Sequence, residues 1–275
     1  MHLEYWWLIP LAVALGGYGT LIGAGGGFVL MPILVLLYPD ENRDVLASVS
    51  LAVVFFNAFS GSVAYARMKR IDYRSGMLFA AATVPGAVLG ALVTSHLHRG
   101  LFDGILGGTL IAGSLFLFLR PRPSDRGRTS EPHGHVVRTL VDGDGTEHRY
   151  TYNPILGVAL SLVVGFASSL LGVGGGFIHV PILVYLLSFP VHVATATSHF
   201  VLAAMALAGT IVHILNGGFT HGVFRTIYLA VGVVVGAQFG AALSTRIHGR
   251  WIIRGLALAL ALVGLRILVE GLLGK

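Results

Sequence analysis

Apolar segments alternate with short polar loops along almost the whole chain. Most of these segments hold 18–25 residues, enough for a helix to cross the roughly 30 Å hydrocarbon core of a bilayer. Two hold only about a dozen residues and are too short. The pattern therefore predicts an all-α polytopic membrane protein with about eight full transmembrane helices and two short, broken or re-entrant helices. The segments lie at 5–22, 26–38, 45–66, 76–97, 101–119, 154–171, 175–187, 191–215, 223–245 and 251–272.

Each short segment follows a glycine-rich phrase that occurs once in each half of the chain. Residues 21–35 read LIGAGGGFVLMPILV, and residues 170–184 read LLGVGGGFIHVPILV. Clustered glycines and a following proline disfavour a continuous helix. Non-helical backbone at bilayer depth is tolerated only where protein buries it or where it lines a polar cavity. A break at matching positions of two halves therefore predicts a transporter binding site near the midplane.

The likeness between the two halves extends beyond the glycine clusters. Two Ser/Thr-bearing stretches and a small-residue pattern, GAVLGA in the first half and GAQFGA in the second, stay in register. The small-residue pattern favours close helix packing in lipid. The pairs predict two homologous membrane repeats, at 1–119 and 154–275. The matching stretches are 48–50 with 196–198, 61–62 with 209–210, and 86–91 with 236–241.

A polar insert at 120–153 separates the two predicted repeats. Its first part, RPRPSDRGRTSEPHGH, is typical of a flexible linker, and VVRTLV-DGDG-TEHRYTY predicts a β-hairpin at about 136–152. Asp142 and Asp144 are spaced as at the start of a calcium loop, but the closing Glu is absent, so we interpret the stretch as a turn. An isolated hairpin is marginally stable, so we expect it to rest on the membrane body or on a second copy. We expect the insert to be dispensable for transport.

Composition supports a membrane protein and sets its orientation. The chain is 55% hydrophobic and 11% charged, with a mean hydropathy of +0.82 and a net charge of +6. The basic residues concentrate in loops 67–74 and 120–153, which predicts that both are cytoplasmic, in a prokaryotic inner membrane. This charge pattern does not indicate nucleic-acid binding. The side of the two termini stays open, as does the choice between a monomer and a homodimer.

The paired motif resembles the TauE/SafE family, the sulfite exporter-like anion permeases also called the TSUP family. Two copies of G-x-G-G-G-F-x-x-x-P-[IL]-L, each followed by a Ser/Thr-bearing helix and a G-A-x-x-G-A segment, carry the resemblance. It covers both membrane halves but not the insert at 120–153. It implies transport of small sulfur-containing or organic anions such as sulfite, thiosulfate, sulfoacetate or sulfonates. The matching positions are Gly23, Gly25, Gly26, Gly27, Pro32, Gly172, Gly174, Gly175, Gly176 and Pro181.

The chemistry of these positions independently favours an anion. A helix start offers unpaired N–H donors and a partial positive charge, and glycine removes side chains that would block a ligand. No Lys or Arg lies deep in a predicted span. Tight helix packing at a kink is the alternative, and for Gln238 a bond between helices is slightly favoured over substrate contact. The candidate substrate-binding residues are Gly23, Gly25, Gly26, Gly27, Gly172, Gly174, Gly175, Gly176, Ser48, Ser50, Thr197, Ser198, His199 and Gln238.

Histidines in the second half leave two further options open. One of them could carry a coupling proton near neutral pH. Together they could instead serve a divalent-metal transporter, because neutral imidazoles suit zinc, nickel or copper. The sequence has no HExxH motif and no Ser/His/Asp set at a plausible site. We therefore expect neither an enzyme nor a metal or other cofactor. The histidines concerned are His179, His192, His199, His213 and His221.

Overall fold

The structure, a computed structural model, describes residues 5–119, 134–217, 219 and 222–272. Within these ranges the chain forms ten helices and one two-stranded sheet. A π-helical turn, Ile182–Leu186, continues helix α7. The helices are α1 (Leu8–Ile22), α2 (Gly27–Leu37), α3 (Arg43–Arg67), α4 (Tyr73–Thr94), α5 (Arg99–Leu119), α6 (Pro154–Leu171), α7 (Gly176–Pro181), α8 (Val191–Leu215), α9 (Val223–Ser244) and α10 (Gly249–Leu272).

The helix lengths agree with a polytopic membrane protein. Among the described residues, helices α3, α4, α6, α8 and α9 are long and apolar enough to cross a bilayer. Helix α2 has 11 residues, and α7 has six before its π-helical continuation, so both predicted short helices are confirmed. Each begins shortly after a helix that ends at a left-handed glycine, Gly23 after α1 and Gly172 after α6. The count of eight full spans stays a prediction.

Helices α3 and α8 cross in the centre of the bundle and run antiparallel. Asp44 of α3 contacts His213 near the end of α8, whereas Asp72, just beyond the end of α3, contacts Thr197 near the start of α8. The long α3 helix is largely buried within the protein, whereas about half of each of the other four long helices is buried. Helix α3 is therefore enclosed by other helices on most of its surface.

Small residues bring α9 and α4 into backbone contact with α1 and α6, the helices that precede the two short helices. A Cβ on Gly236 or Gly240 of α9 would overlap the carbonyl oxygen of Val13 or Gly17 in α1. Gly86 and Gly90 of α4 stand in the same relation to carbonyl groups of α6. The predicted packing role of the GAxxGA segments is therefore confirmed.

The insert forms the predicted hairpin, from β1 (Val136–Val141) and β2 (Glu147–Tyr152). The strands are antiparallel, with Val136 opposite Tyr152 and Val141 opposite Glu147. The carboxylate of Asp142 accepts the N–H groups of Asp144 and Thr146, each at 3.0 Å. The turn interpretation of the DGDG sequence is therefore confirmed.

The hairpin rests on the membrane body, on the loop between α3 and α4. The N–H of Gly143 donates to the carbonyl of Met68 at 2.8 Å, and Arg70 contacts Asp144 at 3.0 Å. The hairpin and loop 67–74 thus lie at the same end of the bundle, below called the hairpin end. That both loops face the cytoplasm stays a prediction.

Asp72 anchors the hairpin. Its carboxylate is buried and accepts hydrogen bonds from Nε and Nη2 of Arg138, from the hydroxyl of Tyr150 and from the hydroxyl of Ser75. Burial alone would raise the pKa of Asp72, but the hydrogen bonds from Arg138, Ser75 and Tyr150 outweigh it and lower the pKa to about 2. The carboxylate therefore stays charged at physiological pH. Burial and the nearby carboxylate raise the pKa of Tyr150, which keeps its donor proton.

Candidate functional site

The two glycine clusters meet in the interior of the bundle, as predicted. A Cβ on Gly27 would overlap the carbonyl oxygen of Val173, and a Cβ on Gly176 would overlap that of Gly23. The rings of Phe28 and Phe177, one residue further along each short helix, stack with centroids 6.1 Å apart. The close approach of the two backbone segments explains why each cluster needs a glycine at the first residue of its short helix.

Backbone conformation explains most of the remaining glycines. Gly23, Gly25, Gly26, Gly172 and Gly174 have φ values of 79°, 72°, 76°, 66° and 69°. Residues with a side chain adopt this left-handed region at a cost, and glycine does not. Gly175 differs, since its φ of −69° is ordinary helical backbone. Gly175 is therefore a cluster glycine whose backbone conformation any residue could adopt.

The starts of α2 and α7 are buried and lack a side-chain cap. Within the described residues, no acceptor binds the N–H groups of Gly26, Gly27 and Phe28. The same holds for the N–H groups of Gly175, Gly176 and Phe177. Buried donors without partners are costly, and the helix dipole adds a partial positive charge at the same place. The arrangement suits an acceptor-rich ligand, above all a compact anion.

A narrow void, too small to admit a water molecule, borders the second cluster. The hydroxyl of Ser198 lies in its wall and makes a long bond of 3.4 Å to the carbonyl of Gly23. His179 lies in the wall as well; its Nε2 contacts Ser161 at 3.3 Å, and its Nδ1 has no partner among the described residues. The void is narrower than a water molecule in this conformation, so ligand entry requires α7 or α8 to move. It is lined by Thr83, Val164, Gly175, Gly176, His179, Ser198, Val201, Leu202 and Met205.

The first cluster is supported by a polar network instead of a void. Thr20 donates to Oδ1 of Asn57 at 2.7 Å, and Nδ2 of Asn57 donates to the carbonyl of Gly25 at 2.8 Å. Because the Thr20 proton points to Asn57, the Thr20 oxygen accepts from Nε2 of His199, 3.2 Å away. His199 therefore lies beside the first cluster. Asn57 is absent from the predicted site, although a neutral amide deep in an apolar span is a sequence signal for it.

Other candidate residues have partners away from the clusters. Ser48 donates to the carbonyl of Asp44 on its own helix at 2.6 Å, and Thr197 accepts the Asp72 N–H near the hairpin end. Gln238 donates to the carbonyl and the hydroxyl of Ser60 at 2.8 Å, which is the bond between helices that its position favoured. Ser50 is buried, and its hydroxyl has no partner in the part of the chain that the structure describes. The structure brings Ser198 and His199 to the clusters and gives Ser48, Thr197 and Gln238 other roles.

The histidines occupy separate environments. His213 binds the carboxylate of Asp44 at 2.9 Å, while His179 and His199 contact Ser161 and Thr20. Among the described residues, no three His, Asp or Glu side chains come together as a metal site. His221, the fifth candidate, lies outside those residues.

Comparison with known proteins gives a consistent result. The family model for the sulfite exporter TauE/SafE matches residues 8–267. A probable membrane transporter protein of Bacillus subtilis, YunE, is 31% identical over 271 residues, which cover 96% of this chain and 97% of the relative. A probable membrane transporter protein of Methanocaldococcus jannaschii is 23% identical over 98% of both chains. A Xylella fastidiosa protein with the same description is 28% identical over 82% of this chain and 79% of its own.

No solved structure matches the chain. The family match covers nearly all of the chain, and the relatives over comparable lengths are described as membrane transporters. Together with the apolar helices, this places the protein in a membrane. The chain belongs to the sulfite exporter TauE/SafE family of membrane transporters.

Proposed function

We propose that the protein carries small anions across the membrane and binds them at the starts of α2 and α7. The substrate class is a sulfur-containing oxyanion or organosulfonate such as sulfite, thiosulfate or sulfoacetate, as the family suggests. One observation carries the proposal: two uncapped helix starts meet inside the bundle with buried N–H groups that have no acceptor among the described residues. An oxyanion supplies several acceptor oxygens in a small volume and matches this donor set.

The second glycine cluster is the better candidate for the contact with substrate. The void lies there, and Ser198 and His179 add polar groups to its wall. The bond from Ser198 to Gly23 is long at 3.4 Å, so its hydroxyl can turn to an anion at low cost. No Lys or Arg lines this void. A site built from N–H groups and neutral side chains holds an anion weakly enough to release it.

The proposed topology consists of two repeats, 1–119 and 154–275, related by a pseudo-two-fold axis. The contacts of α1 with α9 and of α4 with α6 exchange when the halves are exchanged, which supports the duplication. We propose about eight full spans with α2 and α7 as re-entrant segments, in a prokaryotic inner membrane. The basic loops 67–74 and 120–153 then face the cytoplasm. The soluble part is the loop 120–153, with its hairpin docked on the membrane body.

The alternative of a divalent-metal transporter has less support. It needs several histidines around one ion, preferably with a carboxylate. His179, His199 and His213 instead have three different partners, and only His213 contacts a carboxylate. Stoichiometric metal in the purified protein would nevertheless favour this alternative.

The test is anion flux into liposomes with a pair of matched serine variants. Wild-type protein should transport sulfite, thiosulfate or sulfoacetate in preference to sulfate and acetate. Ser198→Ala removes one donor and should weaken the apparent affinity about fivefold, the equivalent of about 1 kcal/mol for one hydrogen bond. Ser48→Ala makes the same chemical change at a hydroxyl committed to its own helix and should leave affinity unchanged. Equal effects of the two variants, or no flux of any sulfur anion, would contradict the proposal.

A further inference from the structure

An outward-facing apolar groove of about 380 Å³ runs along the bundle between α3 and α8. Phe55, Phe59 and Val63 of α3 form one wall, and Phe200 and Leu207 of α8 form the other. The groove is separate from the void at the second glycine cluster: their linings share no residue. Its walls are aromatic and aliphatic, so a polar solute would gain no hydrogen bonds along most of its length.

The groove extends from the middle of the bundle to the hairpin end. Its lining on α3 runs from Phe55 to Ala66, which is about 16 Å at the helical rise of 1.5 Å per residue. This length matches one leaflet of the hydrocarbon core, about 15 Å. Tyr73 lies at the hairpin end of the groove and meets Phe200 edge to face at 5.5 Å. Tyrosine is enriched where the hydrocarbon meets the headgroups.

Two arginines flank this end of the groove. Arg67 follows Ala66, and Arg74 follows Tyr73. Both are exposed, and neither pairs with an acidic group in the part of the chain that the structure describes. Each arginine thus adjoins in sequence a residue that lines this end of the groove, and the pair brings two positive charges without an acidic partner among the described residues.

The second half carries no such charges at the equivalent positions. Six residues after the matched Gly61 and Gly209 stand Arg67 and Leu215. Twelve residues before the matched Gly86 and Gly236 stand Arg74 and Phe224. The arginine pair therefore belongs to one face of the protein and is not a product of the duplication.

We propose that this groove is a binding site for an anionic phospholipid. One acyl chain fills the groove between α3 and α8, and the phosphate lies between Arg67 and Arg74. The guanidinium groups bind phosphate through charge-assisted hydrogen bonds, which a zwitterionic lipid satisfies less well because its own cation competes. Basic residues at the cytoplasmic end of membrane helices attract anionic lipids in this way.

Native mass spectrometry of the detergent-purified full chain with added lipid tests the site. Wild-type protein should retain dioleoyl phosphatidylglycerol in preference to dioleoyl phosphatidylcholine. Arg67→Gln and Arg74→Gln should each lower phosphatidylglycerol binding about fivefold, the effect of one charge near the membrane surface. Arg246→Gln removes an exposed arginine from the turn after α9 and serves as the matched control, with no change expected.

A variant that fills the groove tests the position of the acyl chain. Ala204→Phe places a ring in the groove wall and should reduce the retention of both lipids. Equal binding of the two lipids, or equal losses from Arg67→Gln and Arg246→Gln, would overturn the proposal. A second copy of the chain in the groove would appear as a dimer that Ala204→Phe disrupts while phosphatidylglycerol binding to the monomer persists, and this result would also overturn it.

Discussion

The two glycine clusters share a sequence motif but differ in their surroundings. At the first cluster, the space beside Gly26 is bounded by the carbonyl of Leu15 and the amide of Asn57. At the second, the space beside Gly175 is bounded by the side chains of Ser168 and Val164, with the sulfur of Met205 beyond them. The first cluster is therefore enclosed by backbone and a fixed amide, and the second by movable side chains and a void.

Different residues at corresponding positions of the two matching sequence stretches explain this difference. Asn57 and Met205 are equivalent, since each stands four residues before the matched Gly61 or Gly209. Asn57 binds the carbonyl of Gly25 and so fixes the first cluster, whereas a thioether cannot donate a hydrogen bond to Gly174. A duplicated motif thus supplies two helix starts, but the partner helices give them different freedom. We infer that the first cluster is a support and the second is the part that moves.

The hairpin adds to the asymmetry because a row of aromatic rings connects it to the second cluster. Tyr152 of β2 packs on Phe79 with ring centroids 5.8 Å apart, and Phe79 meets the His179 ring edge to face at 5.9 Å. His179 in turn lines the void. The buried tyrosines and the Asp72 anchor make the hairpin part of the folded core. This packing indicates that replacing the hairpin with a flexible linker would disturb the second glycine cluster.

The first prediction concerns what the two clusters have in common. Gly27→Ala and Gly176→Ala each place a Cβ on a carbonyl of the opposite cluster, where backbone cannot move aside. Each should lower the free energy of unfolding by about 3 kcal/mol, the upper range for overpacking. Thermal unfolding in detergent measures this, with Gly108→Ala, which points into open space on α5, as the control. A large loss of stability in only one of the two variants would contradict the structural equivalence of the clusters.

The second prediction concerns the equivalent pair Asn57 and Met205. Asn57→Leu removes the acceptor of the Thr20 hydroxyl proton and the donor to the buried Gly25 carbonyl and should destabilise the protein by about 2 kcal/mol. Met205→Leu keeps volume and polarity and should cost less than about 1.5 kcal/mol. The two unfolding curves test whether only the first cluster depends on a polar support. Equal losses would refute that distinction.

The third prediction concerns the hairpin anchor. The pKa of Asp72 is lowered from an ordinary 3.8 to about 2, so its contribution to stability is complete above pH 4 and is lost as the pH falls toward 2. The shift corresponds to about 2 kcal/mol. The melting temperature of wild-type protein should therefore fall between pH 4 and pH 2.

Asp72→Asn serves as its control, because it removes the titrating group. This variant should be less stable at pH 7 and should show a smaller decline over the same pH range. Hydrogen exchange at pH 7 should also be faster across residues 136–152 in Asp72→Asn. A parallel pH decline in both proteins would assign the effect to other carboxylates.

The smallest expected effect comes from Gly175, a cluster glycine with a helical backbone conformation and only side chains beside it. Gly175→Ala needs no left-handed backbone, and its methyl group meets only side chains, those of Ser168, Val164 and Met205. The protein should stay folded while anion affinity falls about fivefold, because the methyl group narrows the void. Gly26→Ala instead incurs left-handed strain of about 1 kcal/mol, which should appear in unfolding. Comparing melting temperature and flux in both variants sharpens the division between support and moving part.

Much of the candidate site was accessible from the sequence because its cause is local. Left-handed glycines, short helices and the hairpin turn follow from the preferences of Gly, Pro and Asp over a few residues. The partners of the polar side chains were not accessible in this way. Asn57 and His199 follow Thr20 by 37 and 179 positions in the chain. The three side chains meet only through helix packing. Asp72 likewise gave no signal, since a short polar loop is an ordinary place for Asp.

The sequence by itself determined that the chain is a membrane protein of apolar helices with a duplicated glycine break and a hairpin insert. Hydrophobic length and turn chemistry are properties of neighbouring residues, so they can be read without a fold. Only the tertiary structure decided the end at which α1 begins: Tyr5 packs against Tyr228, near the Arg225 to Glu41 ion pair. This is the end opposite the hairpin. It also decided that Asn57 closes one cluster while the other borders a void, because side chains far apart in sequence acquire partners only when the helices pack.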